Sequence, residues 1–134
     1  MERRLVIGPH GVRQVDDVLE LEVHGPVTRE HAVLLHDLMA QVLSEKGCCF
    51  VISDLADATT VNADARRYMA DWNRTHRASG MASYNLGFAT RVFATLLTKA
   101  IHLLGAEDTP LVFFRDEAEA RAWIAARRVS TSAS

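Results

Sequence analysis

The segment Cys48-Cys49-Phe50-Val51-Ile52-Ser53-Asp54 decides the fold class of this chain. A run of apolar residues that ends in Ser and Asp is typical of a central strand covered on both faces. Segments with apolar residues at helical spacing lie on both sides of it. Such an alternation of helix, buried strand and helix indicates an α/β domain with a largely parallel sheet.

The helix before this strand is predicted from about residue 29 to residue 46. Thr28 is a suitable N-cap, Glu30 is favourable in the first turn, and Gly47 ends the pattern. The apolar positions at helical spacing are Leu35, Leu38, Met39, Val42 and Leu43.

A second helix is predicted from Ala63 to about His76, after a loop over residues 55–62. One side carries Ala65, Tyr68, Met69 and Trp72, and another carries the charged residues Asp64, Arg67, Asp71 and Arg74. The charges are spaced as a ladder on a helix surface. A solvated face is one interpretation of the arginines here, and an anion-binding cluster is the other.

The remaining segments complete a β-β-α-β-α-β-α-β-α order. We expect a single domain over residues 1–128, a mostly parallel mixed sheet of about five strands that opens with an antiparallel hairpin, and a disordered tail over residues 129–134. The other predicted strands are Leu5–Ile7, Val15–Val23, Met81–Phe88 and Leu111–Phe114, and the other predicted helices cover residues 91–105 and the segment from Asp116.

Composition limits the classes of function. A net charge of −2 over 134 residues gives no general attraction to nucleic acid. No apolar stretch has the roughly 20 residues that span a membrane, and the three apolar residues Leu5–Ile7 are too few for a signal peptide. We therefore expect a cytoplasmic protein without an integral membrane segment.

The sequence predicts no metal site, no cofactor and no catalytic motif. The six histidines form no H-x-x-x-H pair, and the adjacent Cys48 and Cys49 are expected to be reduced thiols. Ser53-Asp54 follows a strand, but no G-x-S-x-G motif surrounds it, and an Asp there is typical of a turn or cap. The sequence thus favours a binding role over an enzyme.

Three stretches resemble the STAS domains, and more closely the SpoIIAA-like group with that fold. They are the strand Leu19–Val27 leading into a helix, the strand and loop Phe50–Leu55, and the closing run from Arg91 through Val112-Phe113-Phe114 to Trp123. The resemblance implies a cytoplasmic regulatory domain that binds a protein partner. In anti-sigma factor antagonists it also implies a switch by phosphorylation of a Ser or Thr at the start of a helix.

The matching positions, about Asn62-Ala63-Asp64-Ala65, have no hydroxyl group. Regulation by that phosphorylation is therefore not expected. Asp64 is either an ordinary acidic residue of a first helical turn or a fixed mimic of the phosphorylated form, and loop threonines could be modified instead. The residues expected at the switch or interaction site are Asp54, Thr59, Thr60, Asn62, Asp64 and Arg67.

An excess of apolar residues leaves a second hypothesis open. The predicted helix over 91–105 is apolar over about half its circumference, more than one sheet face requires. The excess fits a buried helix, a homodimer or partner surface, or the wall of a pocket for a small molecule or lipid, as in the CRAL-TRIO domains that the group resembles in fold. The residues expected at that surface are Tyr68, Trp72, Phe88, Phe93 and Leu97.

Overall fold

The computed structural model describes residues 2–76, 79–85 and 111–132. After an opening set of strands, helices and strands alternate from residue 29 to residue 84, and a further strand and helix follow from residue 111, which confirms the predicted α/β class. In chain order the elements are β1 (Glu2–Ile7), β2 (His10–Val15), β3 (Val18–Val27), α1 (Arg29–Lys46), β4 (Phe50–Val61), α2 (Ala63–Thr75), β5 (Gly80–Tyr84), β6 (Leu111–Phe113) and α3 (Glu117–Ser132).

The described strands form one mixed sheet in sequential order, β1-β2-β3-β4-β5-β6. The β1, β2 and β3 strands form an antiparallel meander, and β3, β4, β5 and β6 are parallel to one another. The parallel strands therefore all end at the same edge of the sheet. The start of α2 lies at that edge, directly after β4.

The central strand β4 is covered on both faces, as its apolar run predicts. Val51 belongs to a buried cluster with residues of α1 and α2, whereas Phe50 and Ile52 belong to a second cluster with residues of α3. Because side chains alternate along a strand, a continuous apolar run supplies both cores. Helices thus lie on opposite faces of the sheet.

Helix α1 begins and ends as its sequence predicts. Thr28 Oγ1 accepts a hydrogen bond from the His31 backbone N–H, and Gly47 takes the left-handed conformation (φ 81°) while donating to the Leu43 carbonyl. Glycine suits this position because a side chain there is strained. Both ends of the helix are therefore fixed by local chemistry.

The N-terminal strands differ from the prediction, since three of them precede α1. A two-residue turn joins Val15 to Val18, with Asp16 at a φ of 59°. The sequence alternates across this turn without interruption, so the prediction merged the end of β2 with β3. The β3 strand also continues through Gly25-Pro26 to Val27, with register shifts against β4 there.

The segment predicted as a loop over residues 55–62 is also strand as far as Val61. It stays paired with β3 through His24↔Asp57, Gly25↔Ala58 and Val27↔Val61, so the partner strand supplies the backbone hydrogen bonds that a loop would lack. At the other end of the chain, α3 continues to Ser132, beyond the predicted domain end at residue 128. The predicted helix over 91–105 and the end of the strand predicted to reach Phe88 lie outside the described residues.

Candidate functional site

Five of the six predicted interaction residues lie where β4 passes into α2. We call the exposed side chains of Thr59, Thr60, Asn62, Asp64 and Arg67 the α2 entrance patch. Asn62 is the N-cap of α2, and its Oδ1 accepts a hydrogen bond from the Ala65 backbone N–H at 3.3 Å. The patch is therefore attached to a capped helix and a paired strand, both of which hold it in place.

Asp54 does not join the patch. It is partly buried at the end of the β4–β5 ladder, opposite Tyr84. Its Oδ1 accepts hydrogen bonds from the Ala56 backbone N–H at 3.0 Å and from Asn85 Nδ2 at 3.1 Å. The geometry gives this carboxylate the role of a turn and cap residue.

The two charged groups of the patch have no partner within the described part of the chain. Neither Asp64 nor Arg67 makes a hydrogen bond or ion pair there, although they are three residues apart on one helix. Two turns later, Asp71 and Arg74 have the same spacing and do pair, at 3.4 Å. The predicted ladder of paired charges is thus incomplete at the start of α2.

A cavity of about 160 Å³ lies beside the patch, between the sheet and the helices α1 and α2. Its wall is almost entirely apolar, and Thr59 and Thr60 belong both to this wall and to the patch. Its floor is one row of register partners across four strands, Leu21, Ser53, Ser83 and Phe113. The cavity forms here because the two serines are smaller than the leucine and the phenylalanine on either side of them.

Two histidines form one side of the cavity and bind each other. His10 Nε2 lies 3.1 Å from His31 Nδ1, and the rings meet edge to face with centroids 4.7 Å apart. The His24 backbone N–H donates to His10 Nδ1, and the Thr28 backbone N–H donates to His31 Nδ1. Since both Nδ1 atoms accept, neutral His10 carries its proton on Nε2 and donates it to His31.

Burial, followed by the neighbouring His31, lowers the pKa of His10 below its ordinary value. The neutral form is the one that its hydrogen bonds require. The imidazoles therefore contribute ring surface to the cavity, while their Nδ1 atoms are engaged with the backbone. Sequence reasoning missed this pair because His10 and His31 are far apart in the chain and no ligand motif connects them.

Tyr68 and Trp72, which were predicted at an apolar surface, do not line the cavity. Trp72 is buried between α1 and α2, where its ring meets the edge of His36 and stacks on His76. Tyr68 is partly buried and contacts His36 edge to face, with Arg29 over its ring. The other three residues of that prediction, Phe88, Phe93 and Leu97, lie outside the described residues.

The two thiols are protonated at neutral pH. Burial raises the pKa of Cys49 to about 12. Burial also raises the pKa of Cys48, whose Sγ–H donates to Asp17 Oδ2 at 3.1 Å. Because the thiolate is the reactive form, this environment disfavours nucleophilic or redox chemistry at either residue.

Within residues 2–76, 79–85 and 111–132, no cluster of three or more His, Cys, Asp or Glu side chains could hold a metal ion. No helix of that part of the chain is both long enough and apolar enough to cross a membrane.

Three solved structures share this architecture. A DUF3478-family protein with a SpoIIAA-like fold from Shewanella loihica PV-4 has a TM-score of 0.59 and 16% identity, over 92% of this chain and 94% of its own. The anti-sigma factor antagonist SpoIIAA, in its unphosphorylated form, has a TM-score of 0.52 and 8% identity, over 95% and 98%. An anti-sigma factor antagonist from Mycobacterium paratuberculosis has a TM-score of 0.50 and 19% identity, over 91% and 92%.

These likenesses confirm that the chain has the SpoIIAA-like fold that its sequence predicts. At such identities they establish the fold alone. No protein-family model matches the sequence, and no curated protein is significantly similar to it.

Proposed function

We propose that this chain is a non-catalytic regulatory domain that binds a protein partner through the α2 entrance patch. The observation that carries the proposal is the pair of unpartnered charges, Asp64 and Arg67, on the helix that opens directly from β4. Two of the proteins with the same fold are anti-sigma factor antagonists, which is the class of role that we extend to this chain.

Exposed charges without partners suit recognition of another protein. They remain hydrated until a complementary surface arrives, and complementary charges across an interface supply specificity and fast association. Asp64 also lies in the first turn of α2, where the free backbone N–H groups favour a negative charge. The proposed partner therefore presents a basic group to Asp64 and an acidic group to Arg67.

The proposed regulation does not use phosphorylation at the start of α2. Asn62 is the N-cap there and Ala63 follows it, so neither residue can accept a phosphoryl group. Asp64 supplies a permanent negative charge in the same turn. We infer that binding is controlled by the partner or by a ligand.

The absence of catalysis is part of the proposal and has chemical support. The raised pKa values of Cys48 and Cys49 remove the two best potential nucleophiles. The carboxylate of Glu20, on the inner strand β3, forms ion pairs with Arg13 and Arg121. We also propose that the protein is cytoplasmic. A second copy of the chain is the alternative to a different protein as the partner.

The experiment is affinity capture from the native host with three forms of the protein. The test variant exchanges the patch charges, Asp64→Arg with Arg67→Asp. The matched control exchanges the next pair on the same helix, Asp71→Arg with Arg74→Asp, and so has the same net charge and spacing.

We expect one protein to be retained by the wild type and the control and to be lost from the test variant. Quantitative mass spectrometry measures the three captures, and circular dichroism checks that all three forms are folded. Equal retention by all three forms would place the partner elsewhere on the domain.

A further inference from the structure

We propose that the cavity between the sheet and α1/α2 binds a small, neutral, mainly apolar molecule that carries one hydroxyl group and is about the size of phenol. This proposal stands on the cavity and not on the partner-binding function above. It narrows the class of ligand from lipids in general to a single ring or a short chain with one polar atom.

The size of the cavity limits the occupant. An apolar protein cavity of about 150 Å³ admits a benzene ring, and this cavity is about 160 Å³. The cavity is partly open, and the part of a ligand that it encloses is about one ring or one short chain. The wall is supplied mainly by aliphatic and thioether side chains, among them Val23, Leu35, Val51, Met69 and Met81.

The floor of the cavity explains why the ligand needs a hydroxyl group. Ser53 and Ser83 are register partners on β4 and β5, and the two residues are only 9% and 7% exposed. No described residue makes a hydrogen bond with either hydroxyl. Both serine oxygens retain some accessible surface. An occupant that displaces water from them must therefore supply a polar atom, because a hydroxyl left without a partner in an apolar wall is costly.

One ligand oxygen is enough for both serines. Paired strands lie about 4.8 Å apart, so an oxygen placed between the two side chains is within hydrogen-bond distance of both. A hydroxyl group both donates and accepts, which matches two serine hydroxyls that can each rotate to do either. The remaining atoms of the ligand would then lie against the apolar wall.

Charged ligands are disfavoured by the same wall. No Asp, Glu, Lys or Arg occurs among the described residues that line the cavity. The Nδ1 atoms of His10 and His31 are occupied by backbone N–H groups, and the bond between the two rings uses His10 Nε2. A carboxylate or an ammonium group would therefore enter without an opposite charge.

The test compares phenol with benzene, which differ by one hydroxyl group. Titrations followed by protein NMR measure both affinities for the wild type, for Ser53→Ala with Ser83→Ala, and for the control Ser44→Ala on the exposed face of α1. We expect the wild type and the control to bind phenol about tenfold more tightly than benzene, because two hydrogen bonds form. The double variant should still bind benzene, and it should bind phenol no more tightly than benzene.

A second variant tests the location of the site. Ser83→Leu fills the floor of the cavity and should abolish the binding of both probes while the α2 entrance patch remains unchanged. If the wild type binds neither probe, or binds phenol and benzene equally, the proposal is wrong. A phenol preference that survives in the double serine variant would also overturn it, and that variant remains decisive if Ser83→Leu fails to fold.

Discussion

His10 Nε2 lies 3.1 Å from His31 Nδ1, and this contact joins the β1–β2 hairpin to the first turn of α1. His31 Nδ1 also accepts from the Thr28 backbone N–H, so the same ring completes the cap of the helix. The pair couples a strand connection, a helix end and the side of the cavity. Nδ1 of His10 accepts from the His24 backbone N–H and must therefore be unprotonated, which makes this part of the fold sensitive to acid.

We predict that the free energy of unfolding falls as the pH is lowered from about 7.5 to about 5.5. Burial is the main cause that lowers the pKa values of both His10 and His36 below 6.5. At pH values between 6.5 and the lower pKa of the folded protein, the unfolded chain binds more protons than the folded chain does, so acid favours unfolding. Above pH 6.5 these two histidines make their full contribution to the stability of the folded state.

Urea unfolding at several pH values measures this dependence. His10→Gln should flatten it, because the variant lacks a group whose pKa is lowered by burial. A stability that stays constant or increases as the pH falls through this window would contradict the assignment of neutral, buried histidines.

We predict that Gly8→Ala destabilises the fold more than Gly47→Ala does. Both glycines have a positive φ, 59° and 81°, so each alanine has a backbone strain of about 1–2 kcal/mol. A Cβ at Gly8 would also overlap His31 Nε2, whereas a Cβ at Gly47 meets nothing within 4 Å. The additional cost at Gly8 should be about 1–3 kcal/mol, measured by chemical denaturation.

If the two alanine variants lose equal stability, the close approach of His31 to Gly8 is not maintained in solution. The histidine pair would then have another geometry.

We predict that Asn62→Ala lowers stability by about 1 kcal/mol through loss of the α2 N-cap. Asn62→Asp retains an oxygen that accepts from the Ala65 N–H and should differ little from the wild type. Thermal and urea unfolding measure both variants. An alanine variant as stable as the wild type would show that this cap contributes nothing to the position of the patch.

We predict that His36→Phe changes stability at neutral pH by less than about 1 kcal/mol. His36 is fully buried and donates from Nδ1 to the Ala32 carbonyl at 2.7 Å, while its Nε2 has no partner among the described residues. Phenylalanine removes the unpaired atom and keeps a ring against Trp72. The variant should also lose part of the acid sensitivity, and a large destabilisation at neutral pH would indicate a partner for Nε2.

Local signals in the sequence were sufficient for much of the fold. The range of α1 was predictable because Thr28 and Gly47 have the side chain and the backbone freedom that its two ends require. The central strand was predictable because a continuous apolar run covers both of its faces. The position of Asp64 in a first helical turn was predictable for the same local reasons.

The rest depends on contacts between distant segments. The strand over Leu55–Val61 forms because β3 is long enough to pair with it, which no local pattern in that segment reveals. The cavity exists because Ser53 and Ser83 come into register between Leu21 and Phe113. Such a row is defined only after four strands are aligned.

The most direct test of the central claim is site-specific photo-crosslinking in the native host. A benzophenone amino acid at Ala63, exposed in the first turn of α2, probes the α2 entrance patch, and the same group at Ala122, exposed on α3, probes the opposite side of the sheet. We predict one discrete crosslinked protein from position 63 and none from position 122. The same crosslinked protein from both positions, or from position 122 alone, would contradict the assignment of the patch as the partner-binding surface.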